Sequence, residues 1–504
     1  MEVFGLLLDG FGVALQPFNL MIALVACLLG TIIGMFPGIG PINGIVVLIP
    51  IAFALNLPPA AMLILFAGIY YGAEYGNAIS ASLLNVPGTS AAVLTALEGN
   101  KLSRMGRAGK ALGTSAIASF FGGTISVIAM MFFAPLLSRW AIRFGPPQYF
   151  ALIVFAFSMI ASLTGKNLWK GLMATVIGLM VSVIGLDVMS GIERFTFGQL
   201  KLADGVEFVV VVIGFFAINE VLKLIYEKGD GDAILIEEIG SVYLTMKEFS
   251  SAFMSMLRGS VIGFLIGVLP GAGASIASFI AYTTERQLLQ PKGETFAENE
   301  GDIRGLSAPE AANNAAVSGA LIPLLTLGIP GSGTTAVMLG ALLGLGLQPG
   351  PLFMSQNPDI FWGLIASMYV GNALLLVLNL PLVGVWAKLL KTPDWFLYPA
   401  IVAISFVAIY AVNNSPFDIL SMGVLGIMGF LLVMLKLPLP PVILGLILGP
   451  LMERNLRRSL SISQGDWSFL WSDPISIGLW IAAIVSLCLP FIIGRKRREE
   501  IAAA

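Results

Sequence analysis

Two stretches of this chain repeat each other, and each interrupts an apolar run with Pro-Gly. The first reads Gly30-Thr-Ile-Ile-Gly34-Met-Phe-Pro37-Gly38-Ile-Gly40, and the second Gly263-Phe-Leu-Ile-Gly267-Val-Leu-Pro270-Gly271-Ala-Gly273. Their Gly and Pro positions and Ile33/Ile266 match at one constant offset without a gap. A second pair follows, in which Gly76, Ile79, Leu84, Pro87 and Gly88 match Gly319, Ile322, Leu327, Pro330 and Gly331. Proline removes a backbone donor and clashes with the preceding helical turn, so these positions break helices. Backbone freed at membrane depth is tolerated only where it is buried in protein or lines a watery cavity. Duplicated halves with hydrophobic segments broken at matching places are the sequence mark of a secondary transporter, with the breaks at its substrate site.

The membrane reading rests on composition. The 504 residues are 57% apolar and 11% charged, with a mean hydropathy of +0.92. A soluble domain carries about 25% charged residues, so the chain is expected to be an all-α, polytopic protein embedded in the lipid bilayer. A net charge of −2 offers no basic surface to nucleic acid. The chain has no histidine, which removes Ser-His-Asp and Cys-His catalytic systems and His-ligated metal sites. The acidic residues form no obvious pair, and no Walker A motif is present, so neither an enzyme nor direct ATP drive is expected. Cys27 and Cys488 lie in apolar runs and read as packing residues. The first residues show no basic segment or small-residue cleavage site, so no cleaved signal peptide is expected.

The architecture expected is two inverted structural repeats with interrupted helices and re-entrant hairpins. The first repeat spans 1–226, a polar linker 227–252, and the second repeat 253–504, with hairpins at about 76–97 and 319–340. Several apolar runs fall short of the ~20 residues of a straight crossing, and these cluster at the Pro-Gly breaks. The linker charges, among them Glu227, Lys228, Asp230 and Glu248, read as a solvated face. Loop charge supports inversion. Lys101, Arg104, Arg107 and Lys110 follow the first hairpin, whereas the loop at about 341–358 has no basic residue. The uncharged loop at 51–59 corresponds to one carrying Arg286, Lys292 and Arg304, and Lys166 with Lys170 to Asn413-Asn414-Ser415-Pro416. Arg454, Arg457 and Arg458 and the tail Arg495 to Arg498 flank one apparent span, a conflict under this rule. A cytoplasmic C-terminus is expected.

Residues around the breaks are the candidate site. Asn77, Ser80, Pro87, Gly88, Thr89 and Ser90 of the first hairpin, with Thr326, Pro330, Gly331, Ser332, Gly333 and Thr334 of the second, are candidates for substrate binding. A helix that starts just after Pro-Gly points its first amides and partial positive charge at the cavity, which suits a carboxylate. Unwound carbonyls and small polar side chains suit a hard cation such as sodium. The candidates there are Pro37, Gly38, Gly40, Asn43, Gly271, Gly273, Ser275, Asn313 and Asn314. Gly30-xxx-Gly34 and Gly263-xxx-Gly267 fit helix packing instead. Glu74 and Glu310 each stand three residues before an asparagine, on one helical face; they read either as helix-end carboxylates or as a cation ligand or proton carrier. Asp187, Asp204, Glu220 and Asp418 read as residues at span ends. Tyr70, Tyr71, Tyr75, Trp169 and Trp386 read as packing or interfacial aromatics.

Several runs carry a family resemblance over nearly the whole length. They are Phe36-Pro-Gly-Ile-Gly-Pro41, Leu84-Asn-Val-Pro-Gly88, Arg194-Phe-Thr-Phe-Gly198, Ala308-Pro-Glu-Ala-Ala-Asn-Asn-Ala-Ala316, Leu325-Thr-Leu-Gly-Ile-Pro-Gly-Ser332, Tyr410-Ala-Val-Asn-Asn-Ser415 and Leu446-Ile-Leu-Gly-Pro450. With them the chain resembles the TctA family, the large membrane subunit of the tripartite tricarboxylate transporters. The resemblance implies a permease subunit of the bacterial inner membrane for citrate or related carboxylate anions. It implies a TctB-like small membrane subunit, a TctC-like periplasmic binding protein, and sodium or a proton as coupling ion with no other cofactor. The chain departs from the family pattern at Asn77-Ala78 and Thr89. The alternative is a gradient-independent anion channel or facilitator.

Overall fold

The computed structural model describes residues 2–36, 39–163, 167–187, 189–226, 239–289, 301–390, 399, 402–407, 409–410 and 414–503. Among them the chain is nearly all α-helix. The one ladder pairs Gly185–Leu186 with Glu193–Arg194 in antiparallel register. Five helices are long and apolar enough to cross a membrane by length and composition, Pro17–Met35 and Pro358–Asn379 among them. Most of the linker between the expected repeats (227–238) lies outside the described residues. So do Lys166, Lys292, Asn413 and, of the candidate site, Pro37 and Gly38.

One body is built on two similar helix pairs. Helix α1 (Glu2–Ala14) is followed by α2 (Pro17–Met35), α3 (Gly40–Ala54) and α4 (Pro59–Leu84). Gly30 of α2 lies on the Ile69 carbonyl of α4, and Gly34 lies on Ala73, so the two helices run parallel. Beyond α5 (Val93–Leu102), α6 (Ala108–Ala141), α7 (Pro146–Leu163), α8 (Leu168–Ser182), α9 (Phe208–Val212) and α10 (Asn219–Tyr226), the arrangement recurs. In α11 (Met246–Gly267), Gly263 lies on Ala312 and Gly267 on Ala316 of α13 (Ile303–Leu327), with α12 (Gly273–Leu289) between them. Glycine is required here because the backbones meet: a Cβ on Gly267 would sit 2.5 Å from the Ala316 carbonyl oxygen.

The helices stop where the sequence forces them to. α4 ends on Asn85 with φ 57°, and α13 on Gly328 with φ 70°. Asparagine and glycine are the residues that tolerate this left-handed cap. Gly271 (φ 84°) and Gly273 (φ 61°) turn the chain between α11 and α12, and Gly40 (φ 61°) opens α3. Each expected hairpin begins inside a helix. Gly76 and Gly319 are packing positions, on Thr31 and on the Phe264 carbonyl, and the chain reverses later, over 85–89 and 328–332.

α4 and α13 are buried almost from end to end although they carry polar side chains. Protein wraps them on all sides, which is why their composition is less apolar than that of a lipid-facing helix. α6 closes over α13 with Gly122 against Ala311. α14 (Gly333–Gly344), α15 (Phe353–Gln356), α16 (Pro358–Asn379) and α17 (Val383–Leu389) complete this body. Asn372 of α16 accepts from the Tyr75 hydroxyl (2.8 Å) and donates to Thr124 (2.8 Å).

The second body holds α7 to α10 with α18 (Pro416–Met434), α19 (Leu439–Ile462) and α20 (Pro474–Ala503). α8 packs on α19, α7 on α20, and α18 on the π-helical segment Ile213–Ile218 that joins α9 to α10. The bodies meet along α3 and α14, which lie on α9, that segment and α19. Phe208 of α9 fills the space above Gly340 of α14.

The linker reading needs one correction. Glu248 is no solvated charge: it belongs to the capping box of α11 with Thr245, and it pairs with Arg107 (3.0 Å) and Lys110 (2.9 Å).

Replacing Gly267 with valine is expected to destabilise the protein by about 1–3 kcal/mol through overpacking against α13. The same change at Gly12, which has open space around it, is expected to stay within about 0.5 kcal/mol. Thermal unfolding in detergent compares the two.

Candidate functional site

The breaks of both helix pairs converge on one cavity of about 1360 Å³ between the two bodies. The opening residues of α3 (Gly40 to Asn43), α12 (Gly273 to Ser275) and α14 (Gly333, Thr334) line it. So do Pro87, Gly88, Thr89 and Ser90, just before α5, and Gly271. The first amides of a helix have no partner within the helix. Three helices of twelve residues or more therefore present unpaired N–H groups and their positive dipole ends to one space.

The two halves touch there. The Ser90 and Ser275 hydroxyls are 2.5 Å apart. Within the second half, the Gly271 amide donates to the Gly331 carbonyl at 2.8 Å. The Tyr70 hydroxyl of α4 meets Ser332 at 3.1 Å. Ser332 also caps α14: its Oγ accepts from the Thr335 amide (3.2 Å), and Thr335 Oγ1 accepts from the Ser332 amide (2.8 Å). This reciprocal cap holds the start of α14 in place.

The candidate residues separate into two groups. Gly40, Asn43, Pro87, Gly88, Thr89, Ser90, Gly271, Gly273, Ser275, Ser332, Gly333 and Thr334 line the cavity. Asn77, Ser80, Thr326, Pro330, Gly331, Asn313 and Asn314 do not. Ser80 and Thr326 bond to backbone carbonyls of their own helices. Gly331 backs onto Ala320. Asn314 donates to Asn313 (2.6 Å) inside α13. Asn77 stands behind the wall, where its amide donates to Thr89 (2.8 Å) and to Glu74 (2.9 Å).

Glu74 and Glu310 are not helix-end carboxylates. Both sit well inside their helices and are buried, at 3% and 0% exposure. Glu310 accepts from Thr95 and Ser119, while Glu74 reaches the cavity wall. Sequence reasoning missed the opposite wall, where Lys170, Asn219, Lys223 and Lys436 line the cavity. Lys170 donates to the Leu435 carbonyl (2.6 Å), and Lys223 stands 3.5 Å from Glu220. Of these, Lys170 was read only as a mark of loop sidedness, and nothing in the sequence set Asn219, Lys223 and Lys436 apart.

A second cavity, of about 1050 Å³, lies at the other ends of α14 and α19. Its rim is an ion-pair network. Arg194 bridges Asp187 (2.7 Å) and Glu453 (3.0 Å), and Arg457 bridges the same two acids at 3.0 and 2.6 Å.

A helical membrane protein whose broken helices meet at one polar cavity is built to pass a solute. The chain matches the Tripartite tricarboxylate transporter TctA family over residues 20–444, and it belongs to that family. It is thus a component of a tricarboxylate transporter that works with partner subunits. It is 41% identical over 495 residues to the uncharacterized 52.8 kDa protein in the TAR-I ttuC′ 3′ region of Agrobacterium vitis, covering 98% of this chain and 97% of that one. A second Agrobacterium vitis protein, from the TAR-II ttuC′ 3′ region, is 43% identical over 242 residues, 47% of this chain and 98% of its own length. The uncharacterized protein MJ1079 of Methanocaldococcus jannaschii is 24% identical over 293 residues, 56% of this chain and 66% of its own. No solved structure matches the chain.

The network at the second cavity carries a pH expectation. The Ser190 hydroxyl, then Arg457, the Met189 amide and Arg194, hold the Asp187 carboxyl below its ordinary range. A carboxyl depressed in the folded state stabilises in full above the ordinary aspartate value of about 3.9 and stops only as pH falls through the depressed value. Hydrogen exchange of the Glu193–Arg194 strand, corrected for intrinsic rates, is expected to be the same at pH 7 and pH 5. Asp187→Asn is expected to raise it at both.

Proposed function

We propose that this chain is the permease subunit of a secondary active transporter that takes up tricarboxylates or related organic carboxylate anions, driven by a cation gradient and fed by a periplasmic binding protein. One observation carries the reading: three helix N-termini, with the hydroxyls of Thr89, Ser90, Ser275, Ser332 and Thr334, face one cavity between the bodies. Backbone dipoles and hydroxyls bind a carboxylate without fixing it to a counter-charge, so the anion can leave again. In this reading Thr89, Ser90, Ser332, Gly333 and Thr334 hold the substrate, and Gly40, Asn43, Gly271, Gly273 and Ser275 stand near the coupling ion.

The halves are read as inverted repeats, with re-entrant hairpins at about 76–97 and 319–340 that turn over 85–89 and 328–332. Matched contacts support this: Gly30 and Gly34 meet α4 as Gly263 and Gly267 meet α13. Opposite direction is supported at both ends. Glu98 near the end of α5 accepts from the Asp302 amide at the start of α13 (2.9 Å). Gly344 at the end of α14 faces Phe53 at the end of α3.

Lys101, Arg104, Arg107 and Lys110 assign their side to the cytoplasm. Counting crossings from there brings Lys170, Lys223 and Lys436, and the open side of the larger cavity, to the cytoplasmic face. Arg457 then lies on the periplasmic face, where Asp187 and Glu453 neutralise it. This reading supports a cytoplasmic C-terminus. Two bodies touching along α3 and α14, with a cavity at each end of the contact, favour a sliding, elevator-like motion of one against the other. A TctB-like small subunit and a TctC-like binding protein complete the inner-membrane assembly.

The test is uptake of radiolabelled citrate into proteoliposomes that hold the chain with both partners, with and without an inward sodium gradient. Accumulation that needs the gradient is expected. The Ser332→Ala/Thr334→Ala double variant is expected to lose about tenfold or more in apparent affinity, as hydrogen bonds to a charged group are lost, with folded protein retained. Equilibration without accumulation contradicts the coupled mechanism, and unchanged affinity in the double variant contradicts the site.

A further inference from the structure

A carboxylate already stands where the proposed site would take an anion. Glu74 lines the cavity, one helical turn from Tyr70, whose hydroxyl meets Ser332. It connects to Thr89 through the Asn77 amide. An anionic substrate beside an ionised, buried carboxylate faces strong like-charge repulsion at short range and low dielectric.

The lysines of the same cavity, Lys170, Lys223 and Lys436, stand on its opposite wall, Lys170 at the Leu435 carbonyl (2.6 Å) and Lys223 at Glu220 (3.5 Å). Among the described residues no basic side chain pairs with Glu74. The ionisable group within electrostatic reach on a neighbouring helix is Glu310, a second buried acid. On α4 itself the ionisable neighbours are Tyr70, Tyr71 and Tyr75. Of the elements packed against α4, helix α2 contributes Cys27, and α3 and α14 contribute none. α16 contributes Asp359 and Tyr369, and α5 contributes Glu98. The cations of these elements are engaged elsewhere or terminal. Lys101 stands by Glu98 (3.7 Å), Lys110 by Glu248 (2.9 Å) and Arg304 by Asp302 (2.9 Å), while Arg139 and Lys388 occupy last helical turns.

An open acceptor lies alongside. Both of Asn77's contacts use its Nδ2, and its Oδ1 is fully buried with no partner. Glu74 and Thr89 both face the Asn77 Nδ2, and turning the amide over would bring Oδ1 between them, giving three oxygens of the kind a hard cation takes as ligands.

We propose that Glu74 takes up the coupling cation, sodium held with Asn77 and Thr89 or a proton on its own carboxylate, and that this neutralisation admits the anionic substrate. The inference rests on the carboxylate-transport reading and names the residue that couples the two solutes. By linkage the cation raises substrate affinity and the substrate raises cation affinity by the same factor.

Thermal unfolding of the purified full chain tests it in three arms: sodium chloride against choline chloride at pH 8, pH 8 against pH 6 in choline chloride, and each with citrate. The wild type is expected to be stabilised in the sodium arm if the ion is sodium and in the acid arm if it is a proton. Either cation is expected to raise citrate affinity about tenfold. Glu74→Gln, neutral at every pH, is expected to lose the cation response and to bind citrate without it. Glu74→Asp, which keeps the charge, is expected to retain a weaker response, so a folding defect in the first variant does not decide the matter. A wild type indifferent to both cations overturns the proposal, as does a Glu74→Gln protein that responds as the wild type does. Citrate that moves no protein in any arm counts against the carboxylate reading of the cavity, and the cation arms still judge Glu74.

Discussion

The whole arrangement depends on backbone meeting backbone. Parallel helices approach closely enough for Gly30, Gly34, Gly263 and Gly267 to rest on carbonyls of α4 and α13. In a bilayer, where lipid is as apolar as leucine, such close packing replaces the hydrophobic effect as the force between helices. It also fixes depth. With α2 locked to α4 and α11 to α13, the turns after Met35 and Gly267 fall beside the turns after Leu84 and Leu327. The polar ends of broken helices then satisfy one another, across the halves as Ser90 does with Ser275 and within the second half as Gly271 does with Gly331.

That depth is the reason a polar cavity survives here. Free amides and hydroxyls at the opening of α3, α12 and α14 would be costly in hydrocarbon. They are tolerated because two helical bodies enclose them. Their electrostatic character is mixed in a useful way: dipole ends on one wall, Lys170, Lys223 and Lys436 on the other, and two acids, Glu74 between the turns and Glu220 beside Lys223. The lysines come from the second body and the dipoles from the first, so the field a solute meets depends on how the two bodies stand to each other.

Much of this was legible in the chain. The Pro-Gly motifs at 87–88, 270–271 and 330–331 located turns, and small polar residues after them line the cavity. Gly30-xxx-Gly34 and Gly263-xxx-Gly267 were readable as packing glycines because small residues at that spacing share one face. What was not legible followed from three-dimensional burial. Gly76 and Gly319 looked like starts of hairpin limbs, because a duplicated glycine signals a bend and a tight packing contact equally well. Glu74 and Glu310 read either as helix-end carboxylates or as a cation ligand or proton carrier, because one sequence does not show that α4 and α13 are wrapped on every side. Asn313 and Asn314 are buried within the helix bundle away from the cavity, a placement that spacing alone does not show. The lysine wall was invisible because its members are far apart in sequence and come together only through the packing of α8, α10 and the turn before α19.

The central claim is that the turns of the two halves form a single substrate site. Ser90→Cys with Ser275→Cys, in a chain whose Cys27 and Cys488 are replaced, tests it most directly, because the native hydroxyls stand 2.5 Å apart. The account predicts rapid disulfide formation under mild oxidant, and slowing by citrate as it occupies the cavity. Absence of the cross-link in folded protein would contradict the meeting of the halves, and a cross-linking rate indifferent to every carboxylate tested would contradict the site.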